Sequence, residues 1–94
     1  MSLQSLRTGV RESREPALYE LDAIRLDGRS VAIALSVRQA EDGVWRGRLE
    51  FTEPDLTAQR ATAEIFCGRS EDDLWQSVRA LGQHHLRDLY RSLL

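Results

Sequence analysis

Few side chains in this sequence have the type and spacing that chemistry requires. His84 and His85 are adjacent, so on a helix they point about 100° apart and cannot share one metal ion. His84 and Asp88 have the i, i+4 spacing of a ligand pair, but a pair without a third donor is not a metal site. The expectation is a surface His84 and a half-buried, hydrogen-bonded His85 inside an apolar stripe, where protonation below about pH 6 would loosen packing or an interface. Cys67 precedes a helix start, a position that can acidify a thiol. Strand alternation turns it inward, however, and Glu71, Asp72 and Asp73 in the following turn oppose a thiolate, so it reads as a buried structural cysteine. The same three acids would repel phosphate from the Gly68-Arg69-Ser70 corner, which leaves that corner a helix cap and not an anion nest. The carboxylate pairs Glu53/Asp55 and Asp72/Asp73 fall in turns or caps, where solvated acids are expected.

Composition removes further classes. All thirteen basic residues are arginine, so Schiff-base chemistry, a pyridoxal phosphate attachment and a P-loop lysine are excluded. No nucleophile elbow, zinc-ligand spacing, dinucleotide fingerprint or EF-hand loop occurs. The expectation is a non-enzymatic protein without cofactor or metal. The 94 residues allow one small core, and 41% hydrophobic with 30% charged residues describe a folding chain and not a disordered one. A net charge of -2 argues against a strongly basic nucleic-acid clamp. Apolar runs are a few residues long, far short of the roughly 18 that a membrane span needs. The opening MSLQSLRTGVRESREP lacks the apolar stretch of a secretory leader. One cysteine cannot close a disulfide within the chain, in keeping with a reducing, cytoplasmic setting.

Residues 1–16 hold Leu3, Leu6 and Val10 at helical spacing before Pro16, too short a pattern to stand alone. They read as a mobile arm preceding one domain over 17–94. From Ala17 the period is two, the mark of strands. Four alternating sets follow: Tyr19, Leu21 and Ala23; Val31, Ile33, Leu35 and Val37; Trp45, Gly47, Leu49 and Phe51; Ala61, Ala63, Ile65 and Cys67. With no helix between them, neighbours must be antiparallel. A three-residue Glu41-Asp42-Gly43 loop with Gly43 left-handed pairs Val37 with Gly47, Leu35 with Leu49 and Ile33 with Phe51 on one face. A two-residue turn would instead set Val37 against Arg48. The same count around Asp27-Gly28-Arg29 predicts Leu21 against Leu35 and Ala23 against Ile33, with Ile24 and Leu26 on the second face or beyond a bulge.

After the fourth strand the period turns helical. Ser70 is an N-cap, and Asp73 occupies the place of a capping-box acid. Over 71–94, Leu74, Trp75, Val78, Leu81, Gly82, His85, Leu86, Leu89, Tyr90 and Leu93 share one broad apolar face. The fold class that follows is α+β: a four-stranded antiparallel meander sheet with one long C-terminal helix packed on one face. Unbroken, that helix is about 36 Å long, against a sheet about 15 Å across. It overhangs unless it bends, and Gly82 is the place for a bend. Leu89, Tyr90, Leu93 and Leu94 then lie past the sheet edge, exposed in a monomer. The expected role is an interaction module that homodimerises through Leu86, Leu89, Tyr90 and Leu93.

The second sheet face sets Arg38, Arg46, Arg48 and Arg60 among Glu20, Asp22, Glu50 and Glu64, beside small Ala32, Ala34 and Ser36. It reads first as a solvated face with cross-strand ion pairs. Two other readings are a seat for another subunit on the small residues and a phosphate track along the arginines. Four antiparallel strands followed by a long helix over 17–94 resembles the single-stranded-DNA-binding fold of the plant Whirly proteins and a related transcriptional coactivator, whose small members dimerise. That resemblance implies single-stranded nucleic acid as the alternative partner, held by Arg38, Arg46, Arg48 and Arg60. The chain departs from it in its acidic balance and in lacking exposed aromatics on the middle strands, where bases would stack. The passage of a strand through Gly68 into a Ser70-capped helix is similar to that of HicB-type antitoxins.

Overall fold

Strand alternation and short turns produce an antiparallel sheet in the computed structural model, which describes residues 16–54 and 58–94. The strands are β1 (Ala17–Leu26), β2 (Arg29–Gln39), β3 (Trp45–Glu53), β4 (Ala58–Ala61) and β5 (Phe66–Gly68). They run in the order β1-β2-β3-β4, with β5 also paired to β3. Two helices follow, α1 (Glu71–Arg79) and α2 (Gln83–Ser92). This is the expected α+β class, with an antiparallel sheet carrying C-terminal helix on one face. The arm expected over residues 1–16 lies, apart from Pro16, outside the described residues.

The second hairpin has the expected register. Gly43 takes φ 86°, Ala40 N–H donates to Val44 O at 2.8 Å, and Val37, Leu35 and Ile33 face Gly47, Leu49 and Phe51. The first hairpin differs. Asp27 and Gly28 both adopt positive φ, 52° and 80°, and close a two-residue turn whose twist suits paired strands. Leu21 therefore pairs with Ile33, and not with Leu35, while a bulge between Leu21 and Ile24 absorbs one extra residue of β1. The bulge brings Ile24 and Leu26 onto the same buried face as the residues before it and leaves Ala23 exposed.

The fourth strand corrects the expectation most. It is two short pieces, and its inward residues are Thr62 and Phe66, both buried, whereas Ala61, Ala63, Ile65 and Cys67 are exposed. The apolar count favoured the odd-numbered set. Phe66, opposite Gly47, and the backbone pairing of Thr62 with Leu49 hold the even-numbered set inward. Arg60 follows the same parity: it pairs with Phe51 on the helix-bearing face, and not on the second face with the other arginines.

The helical segment is interrupted. α1 ends at Arg79 with Ala80 as its C-cap, and Gly82 takes extended angles, φ -90° and ψ 172°, as the N-cap of α2. Glycine within a helix costs about 1 kcal/mol relative to alanine, so the break falls where helix is weakest. The two pieces cover opposite ends of the sheet. Leu74 of α1 packs on Gly47, 3.3 Å from where a Cβ would stand, and Glu71 reaches Tyr19. α2 crosses the other end, from Arg87 Nε on Arg25 O at 2.9 Å to Leu93, whose carbonyl accepts Arg60 Nη1 at 3.2 Å. No overhang results, because the helical segment is shared along the length of the strands and not laid once across their width. Tyr90, expected to be exposed, is instead 1% accessible and packs against Phe51 with ring centroids 5.2 Å apart and the rings tilted by 46°. The core comprises Ile24, Val31, Leu35, Leu49, Phe51 and Leu74, with Tyr90 as its largest member.

Candidate docking groove

The groove arises from a mismatch in chain length beside β3. Between Leu49 and Gly47, β3 spends Arg48 alone, while the chain alongside spends Ala63, Glu64 and Ile65 between Thr62 and Phe66. Thr62 secures the start of this excursion. Its N–H donates to Leu49 O at 2.9 Å, its hydroxyl accepts Leu49 N–H at 3.0 Å, and the same hydroxyl donates to Ala63 O at 2.6 Å. The surplus residues swing Glu64 to the outer face of the sheet and leave Ile65 48% exposed beside α2.

There Ile65, Phe66, Leu81 and Leu89 line a groove of about 350 Å³, with the exposed His85, Asp88 and Ser92 at its rim. Its volume lies at the low end for small-molecule sites. The rim groups are already engaged: His85 Nδ1 accepts Gly82 N–H at 3.1 Å, and Asp88 lies 3.6 Å from Arg91. A lining this apolar suits aliphatic side chains better than a polar substrate. His85 is exposed and serves as the cap of α2, and its ring lies 3.9 Å from that of His84. Cys67 is exposed, contrary to the expectation of burial, because it pairs with Arg46 on the outward side of β5.

Of the residues expected at a dimer interface, Leu89 lines the groove, and Leu86 and Leu93 are half-buried against the core of their own chain. Tyr90 is withdrawn from any interface. Its hydroxyl donates to Oε2 of the buried Glu53, whose Oε1 lies 3.0 Å from Arg29 Nη1 in an ion pair too poorly aligned to count as a hydrogen bond. Sequence reasoning did not find Ile65, Phe66 and Leu81 as groove residues. Apolar neighbours on an expected strand give no sign that two residues will be extruded.

The arginines of the second face are largely neutralised by neighbours. Arg38 donates through Nε and Nη2 to the two carboxylate oxygens of Glu64 at 2.6 and 2.8 Å. Arg46 reaches Asp42 at 3.1 Å, and Arg48 reaches Glu50 at 3.2 Å. The Arg38 hydrogen bonds hold the Glu64 carboxyl below its usual range, and Val44 N–H does the same for Asp42, with help from Arg46. At the α1 end of the sheet, Glu71 accepts both Tyr19 OH at 3.0 Å and Trp75 Nε1 at 3.3 Å, which raises the Tyr19 phenol above its ordinary value.

A lowered carboxyl stabilises the folded state above the unfolded carboxylate range, and that contribution is lost as pH falls through the folded value. Wild type should therefore lose more stability than Glu64→Gln between pH 6 and pH 3, by a small margin because the pair is solvent-screened. Urea midpoints of the two proteins at both pH values measure it, and equal losses would refute it.

Among the described residues no group of three or more His, Cys, Asp or Glu is placed to hold a metal ion, and no helix is long and apolar enough to cross a membrane. Compared with known proteins, the chain matches no family model, no curated protein and no solved structure.

Proposed function

We propose that this chain is a small non-enzymatic interaction module that homodimerises through α2 and the exposed Ile65 beside it. The observation that carries the reading is the adjacency of an apolar projection and an apolar hollow on one surface. Ile65 lines the groove with Phe66, Leu81 and Leu89, and about half of it remains in solvent, available to a partner. A twofold axis makes the same patch meet itself, so each copy's projection can occupy the other's hollow. The charges permit it. Asp88 is balanced by Arg91 on its own helix, and Arg60 is spent on the Leu93 carbonyl, so two copies approach without a fixed like-charge clash. The contact is displaced from the one expected, toward Leu89 and Ile65 and away from Tyr90.

Single-stranded nucleic acid has less support. Three of the four arginines assigned to it are paired with carboxylates, and Arg60 lies on the opposite face. A cytoplasmic setting is in keeping with Cys67, whose exposed thiol has no partner within the chain.

Ile65→Glu is the test, because the side chain is half in solvent and its replacement spares the core. Sedimentation at micromolar concentration should show a wild-type dimer and a variant whose dissociation constant is raised about tenfold or more, since a charge would be carried into an apolar seat. A monomeric wild type would overturn the reading.

A further inference from the structure

We infer that Arg38 and Glu64 are positioning residues for the docking surface, fixing the place of Ile65 from the opposite face of the sheet. The inference rests on the homodimer reading for its consequence, and on the excursion itself for its mechanism. Thr62 fastens the start of the excursion to Leu49, and Phe66 fastens its end opposite Gly47. Between them, Glu64 and Ile65 form no backbone hydrogen bond with another described residue. Left there, the middle of the excursion would be free to sample many conformations, at an entropic cost to any partner that had to order it.

The Glu64 carboxylate supplies the missing tie. It passes over β3 on the outer face to Arg38 of β2 and engages the guanidinium with two parallel contacts, 2.6 and 2.8 Å long. A planar two-point contact fixes direction as well as distance, which a single hydrogen bond or a lysine would not do. Because Ile65 follows Glu64 directly, fixing the carboxylate on one face fixes the aliphatic side chain on the other. The pair is half exposed, so its share of global stability is small, whereas its effect on the conformational freedom of two otherwise untied residues is large. An ion pair seen as mere surface decoration would leave partner binding unchanged when removed.

The experiment compares wild type, Glu64→Gln, and the exchanged pair Arg38→Glu with Glu64→Arg. Backbone 15N order parameters of residues 64 and 65 should fall in Glu64→Gln, from about 0.85 for a rigid backbone toward about 0.6 for a flexible one, and return toward wild type in the exchanged pair, while β2 and β3 keep theirs. Sedimentation should show the dimer dissociation constant raised several-fold in Glu64→Gln, with the thermal midpoint at neutral pH almost unmoved, and restored in the exchanged pair. Unchanged order parameters at residues 64 and 65 in Glu64→Gln overturn the inference whatever the oligomeric state. Lowered order parameters with an unaltered dissociation constant also overturn it, as positioning would then have no effect on the contact. A monomeric wild type defeats the homodimer reading instead, and the order parameters still decide whether Glu64 holds the excursion in place.

Discussion

Tyr90→Ala should cost about 3–5 kcal/mol, the range for removing a large aromatic from a core, which is a large share of the roughly 5–14 kcal/mol ordinary for a chain of this length. Two losses combine. The ring is the largest fully buried side chain and lies against Phe51, so truncation opens a cavity beneath α2. The hydroxyl is the hydrogen-bond partner of Glu53, a carboxylate that is 6% exposed, and without it that charge is left with the half-exposed Arg29 alone. Tyr90→Phe separates the two: it keeps the ring and should cost about 1–3 kcal/mol, the penalty for an unsatisfied buried polar group. Urea unfolding of both variants gives the comparison. A Tyr90→Phe variant as stable as wild type would mean that Glu53 needs no partner from α2, and a Tyr90→Ala loss below about 1 kcal/mol would mean that α2 is not seated as described.

The second large effect belongs to Gly68→Ala. A Cβ built there would stand 2.7 Å from Cβ of Asp73, 2.8 Å from the Leu74 amide nitrogen and 3.0 Å from the Ser70 carbonyl oxygen. Two of these are backbone atoms of the tight passage from β5 into α1, so the neighbours cannot yield by rotating a side chain. The corner must open, which lifts Leu74 from its seat on Gly47 and strains the Ser70 hydroxyl that accepts the Asp73 amide at 3.2 Å. Overpacking of this kind costs about 1–3 kcal/mol, and contact with backbone puts this site near the upper end. Gly28→Ala is the useful contrast, since its Cβ meets nothing within 4 Å and only its positive φ opposes the change. Thermal denaturation should rank Gly68→Ala well below Gly28→Ala. The reverse order would show that the β5–α1 corner has slack.

The sequence was most legible where local chemistry and parity agree. Glu41-Asp42-Gly43 could close only one register that kept Val37, Leu35 and Ile33 over Gly47, Leu49 and Phe51, and the structure adopts it. Ser70 was legible as a cap for the same reason, because its hydroxyl needs only the amide three residues on. The first hairpin was harder, since Asp27 accepts a left-handed conformation that few residues tolerate, and this shortened the turn that counting had lengthened. The edge beside β3 was not legible. Whether Ala63-Glu64-Ile65 continues a strand or leaves it depends on Thr62 finding Leu49 and Glu64 finding Arg38, partners 13 and 26 residues away. Nor does a helical wheel show where an apolar stripe must break to follow a sheet. Leu81-Gly82 marks a weak point, but only the seat under Glu53 explains why Tyr90 turns inward.

The bulge in β1 and the Arg87 guanidinium on the Arg25 carbonyl also bear on how copies of the chain behave when crowded or heated. A long outer strand is ordinarily an invitation to endless strand-by-strand growth, and fibrils begin from such edges. Here the later half of that edge is kinked and its carbonyl is occupied, so an incoming strand can gain purchase only before the kink. Open-ended stacking along the later half of that edge is thereby disfavoured.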